Sequence, residues 1–223
     1  MERKYYEAYD DRYRQVHEQK LQWFYDNPTP IVAETIVKYS ISRAHAILEI
    51  GCGEGRDAYP LLHDGYSVLA TDISVAAIDY ARKKYPQFAA HFTVLDCVTG
   101  KFSGKFDFIY AIAVLHMLVD DVDRDAFYRF IREYLRPNGI ALICTMGDGI
   151  IESKTDITTA FDLQNRVHEQ SGREVRVANT SCRMVSFDTF HNELRRNHLS
   201  IIEEGITSAL PDFSKLMYAV VKT

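Results

Sequence analysis

Three carboxylates stand at matching places in three successive apolar segments: Glu49 in AILEI, Asp72 in SVLATD and Asp96 in FTVLD. The first segment runs directly into Gly51-Cys52-Gly53-Glu54-Gly55. Glycine loops of this kind cradle the phosphates of a nucleotide, the backbone of a dinucleotide, or a nucleoside without phosphate. A nucleotide-triphosphate loop needs G-x-x-x-x-G-K-[ST], and no lysine follows here. A dinucleotide fingerprint needs G-x-G-x-x-G, and Arg56 stands where the third glycine is required. Gly51 and Gly53 instead remove the Cβ atoms that would block close backbone approach. Glu49 would repel a pyrophosphate but favours an ammonium or sulfonium group. Asp72 can accept two hydrogen bonds from ribose hydroxyls. Asp96 can accept from the exocyclic amine of adenine. The indicated ligand is cationic at one end, with ribose in the middle and adenine at the other end, and it carries no phosphate. Each acid also has an ordinary structural reading: Glu49 as a helix-dipole carboxylate, Asp72 as a turn former ahead of the helix cap Ser74. Their joint placement behind one glycine loop favours the ligand.

Such acids need a scaffold that brings strand ends together. Residues 4 to 25 show an aromatic stripe, Tyr6, Tyr9, Tyr13 and Val16, at helical spacing, and Asn27-Pro28-Thr29-Pro30 breaks it. A second helix with Val32, Ala33, Ile36 and Val37 on one face follows. From Ala46 onward strand and helix alternate, the pattern of a parallel sheet covered on both faces. Residues 147 to 185 are polar, with one expected helix and REVRVA as a short strand. SFDTFHNELRRN reads as a helix, and LSIIEEGITSAL and KLMYAVVKT as an antiparallel hairpin. The expected class is α/β: a doubly wound, Rossmann-like seven-stranded sheet, mostly parallel with the last strand antiparallel. One domain spans 1–223, divided into an N-terminal helical lid (1–40), a ligand-binding core (46–146), a substrate-side insertion (147–185) and a C-terminal helix and hairpin (186–223).

The 223 residues are 47% apolar and 26% charged, enough for a large core. A formal charge of −5 with no basic cluster argues against nucleic acid as a partner. The polar N-terminus and the lack of a long apolar run give the expectation of a soluble, cytoplasmic protein without membrane contact. Cys52, Cys97, Cys144 and Cys182 form no C-x-x-C pair, and no His, Cys and carboxylate cluster has metal-ligand spacing, so no metal site is expected.

The stretch from Ile47 to Met146 resembles the core of the class I S-adenosylmethionine-dependent methyltransferases. LEIGCGEG, LATDIS, VLDC, FDFIYAIAVLHML and LRPNGIALI follow that family's order and spacing. The resemblance implies S-adenosylmethionine as cofactor, S-adenosylhomocysteine as product, and a small-molecule acceptor. It implies that Gly51 and Gly53 approach the methionine end, that Glu49 orients the loop, and that Asp72 binds ribose. Ile73 would lie on the adenine face, Asp96 and the Cys97 N–H would meet the adenine edge, and the Ala111 carbonyl would meet the amino group. It places His116 beside the transferred methyl as a candidate base, against a plain reading as a hydrogen-bonded loop histidine. It also implies that the N-terminal segment folds over the cofactor, with Tyr5, Tyr9 and Trp23 as candidate contacts to the sulfonium or substrate; the alternative is that these rings only join the first helix to the sheet. A non-enzymatic S-adenosylmethionine-binding regulator stays open as a second reading.

Overall fold

The computed structural model describes residues 3–223. Seven strands form the main sheet: β1 (Ala46–Ile50), β2 (Ser67–Asp72), β3 (Phe92–Val94), β4 (Phe106–Ile112), β5 (Leu135–Met146), β6 (Ser200–Ala209) and β7 (Phe213–Lys222). Their order is β6-β7-β5-β4-β1-β2-β3. Six strands run in one direction; β7 alone opposes them, pairing antiparallel with β5 and β6. The middle of β1 is typical of the centre: Leu48 faces Leu69 of β2 and Ile109 of β4, and all but its first residue are buried. A strand covered on both faces needs a continuous apolar run, which AILEI supplies except at Glu49.

Helices α1 (Ala8–Glu18), α2 (Pro30–Lys38), α3 (Ala58–His63), α4 (Val75–Lys84), α5 (Asp121–Tyr134) and α6 (Phe187–Arg196) cover the two faces. Ser74 caps α4, its hydroxyl accepting from Ala77 N at 3.0 Å. Arg124 of α5, fully buried, makes a bidentate pair with Glu193 of α6 at 2.8 and 2.6 Å. Its remaining nitrogen donates to the carbonyls of Leu115 and Leu118 at 2.8 and 3.1 Å. The α5–α6 pair therefore fixes the turn that follows β4. Among the described residues no helix is long and apolar enough to cross a membrane.

Two expectations fail. The helix expected over 4–25 is a 3-10 turn at Tyr5–Glu7 followed by α1, which stops at Glu18. Lys20 adopts φ +57°, and residues 19–29 then cross the glycine loop as irregular chain. Their main-chain donors are taken by loop carboxylates, an outlet that helical periodicity does not reveal. The insertion holds no α-helix. It contains two antiparallel pairs, Ser153–Lys154 with Arg183–Met184 and Leu163–Val167 with Glu174–Ala178, and a 3-10 turn at Ile157–Thr159. Val175 and Val177 bury one face of the longer pair against Val16 of α1. Leu163–Val167 shows no alternation of its own because the partner strand, not its own pattern, selects its conformation.

Candidate active site

A cavity lies at the carboxyl ends of the strands, reaching from Asp96 past β3 across β2, β1 and β4 to Phe213 at the start of β7. The sheet's order reverses here, between β1 and β4, which is where open α/β sheets bind ligands. Glu49, Gly51, Gly53, Asp72, Ile73, Asp96 and Cys97 all line it.

The glycines are required by geometry. Gly51 has φ +73°, and a Cβ added there would stand 2.2 Å from Val114 Cγ2. Val114 comes so close because Ala113, at φ +57°, swings the chain out of β4 beneath the loop. Gly53 has φ +52°, and its N–H donates to Asp72 Oδ2 at 2.8 Å. Asp72 Oδ1 accepts from Ser74 N, also at 2.8 Å. Both oxygens are thus held in place with lone pairs to spare. Burial is the main reason that the Asp72 carboxyl is pushed up to about 6, against the bonds from Ser74 and Gly53. Asp96 accepts from Val98 N at 2.8 Å and from the hydroxyls of Thr99 and Tyr6 at 2.6 and 3.3 Å.

Glu49 differs. It is 2% exposed, and neither its Oε2 nor the neighbouring Tyr110 hydroxyl makes a hydrogen bond of ordinary geometry among the described residues. Burial foremost, with the charge of Asp57, raises its carboxyl well above the ordinary range. An orphaned buried carboxyl oxygen on a cavity wall fits a cationic group placed against it.

Four expected site residues lie elsewhere. Ala111 does not line the cavity: β4 continues to Ile112, so Ala111 stays inside the sheet between Ile50 and Ile143. Ile112, Ala113 and Val114 line it instead. The Tyr5 ring is buried beside α5, its hydroxyl accepting from Val119 N and Asp120 N at 2.9 and 3.1 Å. Trp23 is turned against Arg12, whose guanidinium sits 5.1 Å from the ring centre. Tyr9 does line the cavity, joined by Tyr6 and Tyr13 of the same stripe. His116 is buried and does not line the cavity, its Nδ1 unpartnered among the described residues and its ring centre 6.1 Å from that of Phe213. Burial, then the charge of Arg124, lowers it to about 4, so the imidazole is neutral at pH 7.

Sequence reasoning missed Glu54. Its carboxylate, 3% exposed, accepts from Trp23 N at 2.8 Å and Phe24 N at 3.0 Å, and lies 2.8 Å from His17 Nε2. Asp57 similarly accepts from the Thr29 hydroxyl at 3.0 Å. Asp10 of α1 accepts from the Ser74 hydroxyl at 2.8 Å and Ala76 N at 3.0 Å, at the start of α4. On the other side, Arg12 donates to the Ala178 carbonyl at 2.8 Å and Tyr9 to that of Ser181 at 2.6 Å. The N-terminal segment is therefore tied to the glycine loop and to the insertion at once. The only sequence signal was an acid between two glycines, where a ligand-only loop needs none.

Residues 47–139 match the family model described as "Methyltransferase domain". None of the curated proteins matches the chain. Among solved structures, the CcbJ methyltransferase from Streptomyces caelestis aligns with TM-score 0.69 at 17% identity, over 97% of this chain and 98% of that one. An S-adenosylmethionine-dependent methyltransferase from Clostridium acetobutylicum aligns with TM-score 0.66 at 14% identity, over 97% and 98%. The glycopeptide N-methyltransferase MtfA, crystallised with S-adenosyl-L-methionine, aligns with TM-score 0.64 at 19% identity, over 88% and 87%. Residues 47–139 are thus similar to a methyltransferase domain, and nearly the whole chain shares the fold of these solved methyltransferases.

Proposed function

We propose that the protein transfers the methyl group of S-adenosylmethionine to a small-molecule acceptor. The observation that carries this reading is the row of Glu49, Asp72 and Asp96 along one cavity, with Glu49 Oε2 left unpartnered. In this reading Asp72 holds the ribose and Asp96 the adenine amine. Ile73 covers one face of the ring, and the Cys97 N–H meets its edge. Gly51 and Gly53 admit the methionine end, and Glu49 faces its ammonium. When bound, the cofactor supplies an electrophilic methyl carbon whose bond to sulfur breaks, the electron pair staying on sulfur. The protein's work is to place a nucleophile in line and to keep water out. Tyr6, Tyr9, Tyr13 and Phe24 of the N-terminal segment wall the cavity, the segment being held by Glu54 and Asp10.

A nucleophile that arrives without a proton needs no base. For one that arrives protonated, His116 offers a neutral imidazole beside Phe213 of the cavity wall. Small-molecule acceptors accord with relatives of this fold, among them a 1,6-didemethyltoxoflavin N1-methyltransferase from Burkholderia thailandensis. The test is calorimetric titration with S-adenosylhomocysteine, NAD and NADP, followed by transfer of a labelled methyl group to a panel of acceptors. Binding of S-adenosylhomocysteine alone supports the reading; binding of NAD or NADP instead would end it. Cofactor binding without transfer to any acceptor would favour a regulator.

A further inference from the structure

The cavity is longer than the row of acids that reads a nucleoside. Asp72 and Glu49 lie at the ends of β2 and β1 and Asp96 two residues past β3, while the lining continues past β4 to Phe213. Because β7 runs antiparallel to β5, its first residues lie beside the last residues of β5, with Leu216 opposite Met146. This brings Phe213 to the far end of the cavity. There the wall is made of rings from separate segments. From Gly53, where a Cβ would stand 2.7 Å from the Tyr13 hydroxyl, ring centres step from Tyr13 to Phe24 at 6.5 Å and from Phe24 to Phe213 at 6.1 Å. Tyr25 and Met117 also line the cavity.

The charges of the lining are one-sided. Five carboxylates, Glu49, Glu54, Asp57, Asp72 and Asp96, face one guanidinium, Arg56. Arg56 is already bound to Asp57 and Asp212 at 3.3 and 3.2 Å, with its flat face 5.5 Å from the centre of the Phe24 ring. Among the described residues no lining cation is left to meet a carboxylate or phosphate on a ligand. Even with Glu49 protonated, the surplus of acids repels an anion. A ring bounded by rings gains stacking or edge-to-face contact beyond the area it buries.

Resting on the methyltransferase reading, we infer that the acceptor is a flat aromatic molecule without negative charge, held against the packed pair of Phe24 and Phe213. Anionic and non-planar molecules are rejected, the first by the acids of the lining and the second for want of ring contact.

The test uses full-length protein saturated with S-adenosylhomocysteine, whose own affinity is measured first. Three probes of one size are then titrated by calorimetry and ligand-observed NMR: 2-naphthol, 2-naphthoate and decahydro-2-naphthol. The expected result is binding of 2-naphthol about tenfold tighter than either of the others. Phe213→Leu, checked for an unchanged melting transition, should lower 2-naphthol affinity about fivefold and leave S-adenosylhomocysteine affinity unaltered, and Phe24→Leu should lower 2-naphthol affinity by a similar factor. Equal binding of the saturated probe, tighter binding of 2-naphthoate, or no binding of 2-naphthol at about 1 mM overturns the inference. Failure of S-adenosylhomocysteine itself to bind removes the methyltransferase reading, and this inference with it.

Discussion

The main-chain nitrogen of Phe24 donates to Glu54 Oε2 across 3.0 Å, joining the N-terminal segment to the middle of the glycine loop. Glu54 Oε1 serves Trp23 N and His17 in the same way, so one buried side chain holds three points of the cover. Replacing Glu54 by Ala leaves two main-chain donors without their acceptor, at a cost of about 2–4 kcal/mol. Urea unfolding should show that loss, and hydrogen exchange across 17–24 should quicken. Glu54→Gln, which keeps one acceptor oxygen, should lose less. Unchanged exchange in Glu54→Ala would mean that α1 and the insertion hold the segment without the loop.

Addition of S-adenosylhomocysteine should slow hydrogen exchange through residues 3–26. The segment contributes Tyr6, Tyr9, Tyr13 and Phe24 to the cavity wall, so a ligand that touches these rings favours the closed arrangement. Equal protection with and without ligand would mark the segment as fixed structure.

Asp72→Ala removes the proposed ribose acceptor and also releases Gly53 N and Ser74 N. Cofactor affinity should fall by about 2–4 kcal/mol, measured by calorimetry. Full affinity in this variant would refute the assignment of Asp72 to the ribose.

Cofactor binding should depend on pH through the same carboxyl. Burial holds Asp72 near 6 in the free protein. The ionised form is the better acceptor for ribose hydroxyls, so affinity should be at its plateau above about 6 and decline as pH falls below it. Protein stability responds differently. The folded-state value lies above the 3.8 of an ordinary aspartate, so this group favours the fold most below 3.8 and that contribution is lost as pH rises to about 6. His116, lowered to about 4, acts in the opposite sense: its contribution is present above the ordinary 6.5 and is lost as pH falls through about 4. The two oppose each other over the same window, and binding is therefore the cleaner measurement. An affinity that stays flat from pH 7 to 5 would contradict this role for Asp72.

Gly53→Ala should both unsettle the loop and reduce binding. At φ +52° a side chain costs about 1–2 kcal/mol, and its Cβ would press on the Tyr13 hydroxyl at 2.7 Å. Removing that hydroxyl leaves Tyr13 Cζ, 3.6 Å away, as the neighbour. Gly53→Ala with Tyr13→Phe should therefore recover part of the stability that Gly53→Ala loses, as thermal melting can show. No recovery would place the whole cost in the backbone.

Much of the framework was legible because it is written in local patterns. AILEI, SVLATD and FDFIYAI are short apolar runs that can only be buried strands, and Ser74 sits where a helix must be capped. Glu49, Asp72 and Asp96 could be placed at strand ends because each follows such a run directly. The antiparallel β6–β7 pair followed from its short connection.

What could not be read depended on partners distant in the chain. Whether Tyr5 or Tyr6 faces the cavity turns on a 3-10 start to the first helix and on where Val119 and Asp120 offer their N–H groups. The cavity lining begins at Ile112 and not at Ala111, since the end of β4 is set by pairing with β1 and β5 rather than by its own letters. Glu54 looked like part of the ligand loop, yet its partners lie some thirty residues earlier. Local sequence determined which elements form and which acids stand at their ends, because periodicity and capping act over a few residues. The tertiary structure decided which side chains meet over the cavity, because hydrogen bonds between distant segments select among faces that the periodicity alone leaves equivalent.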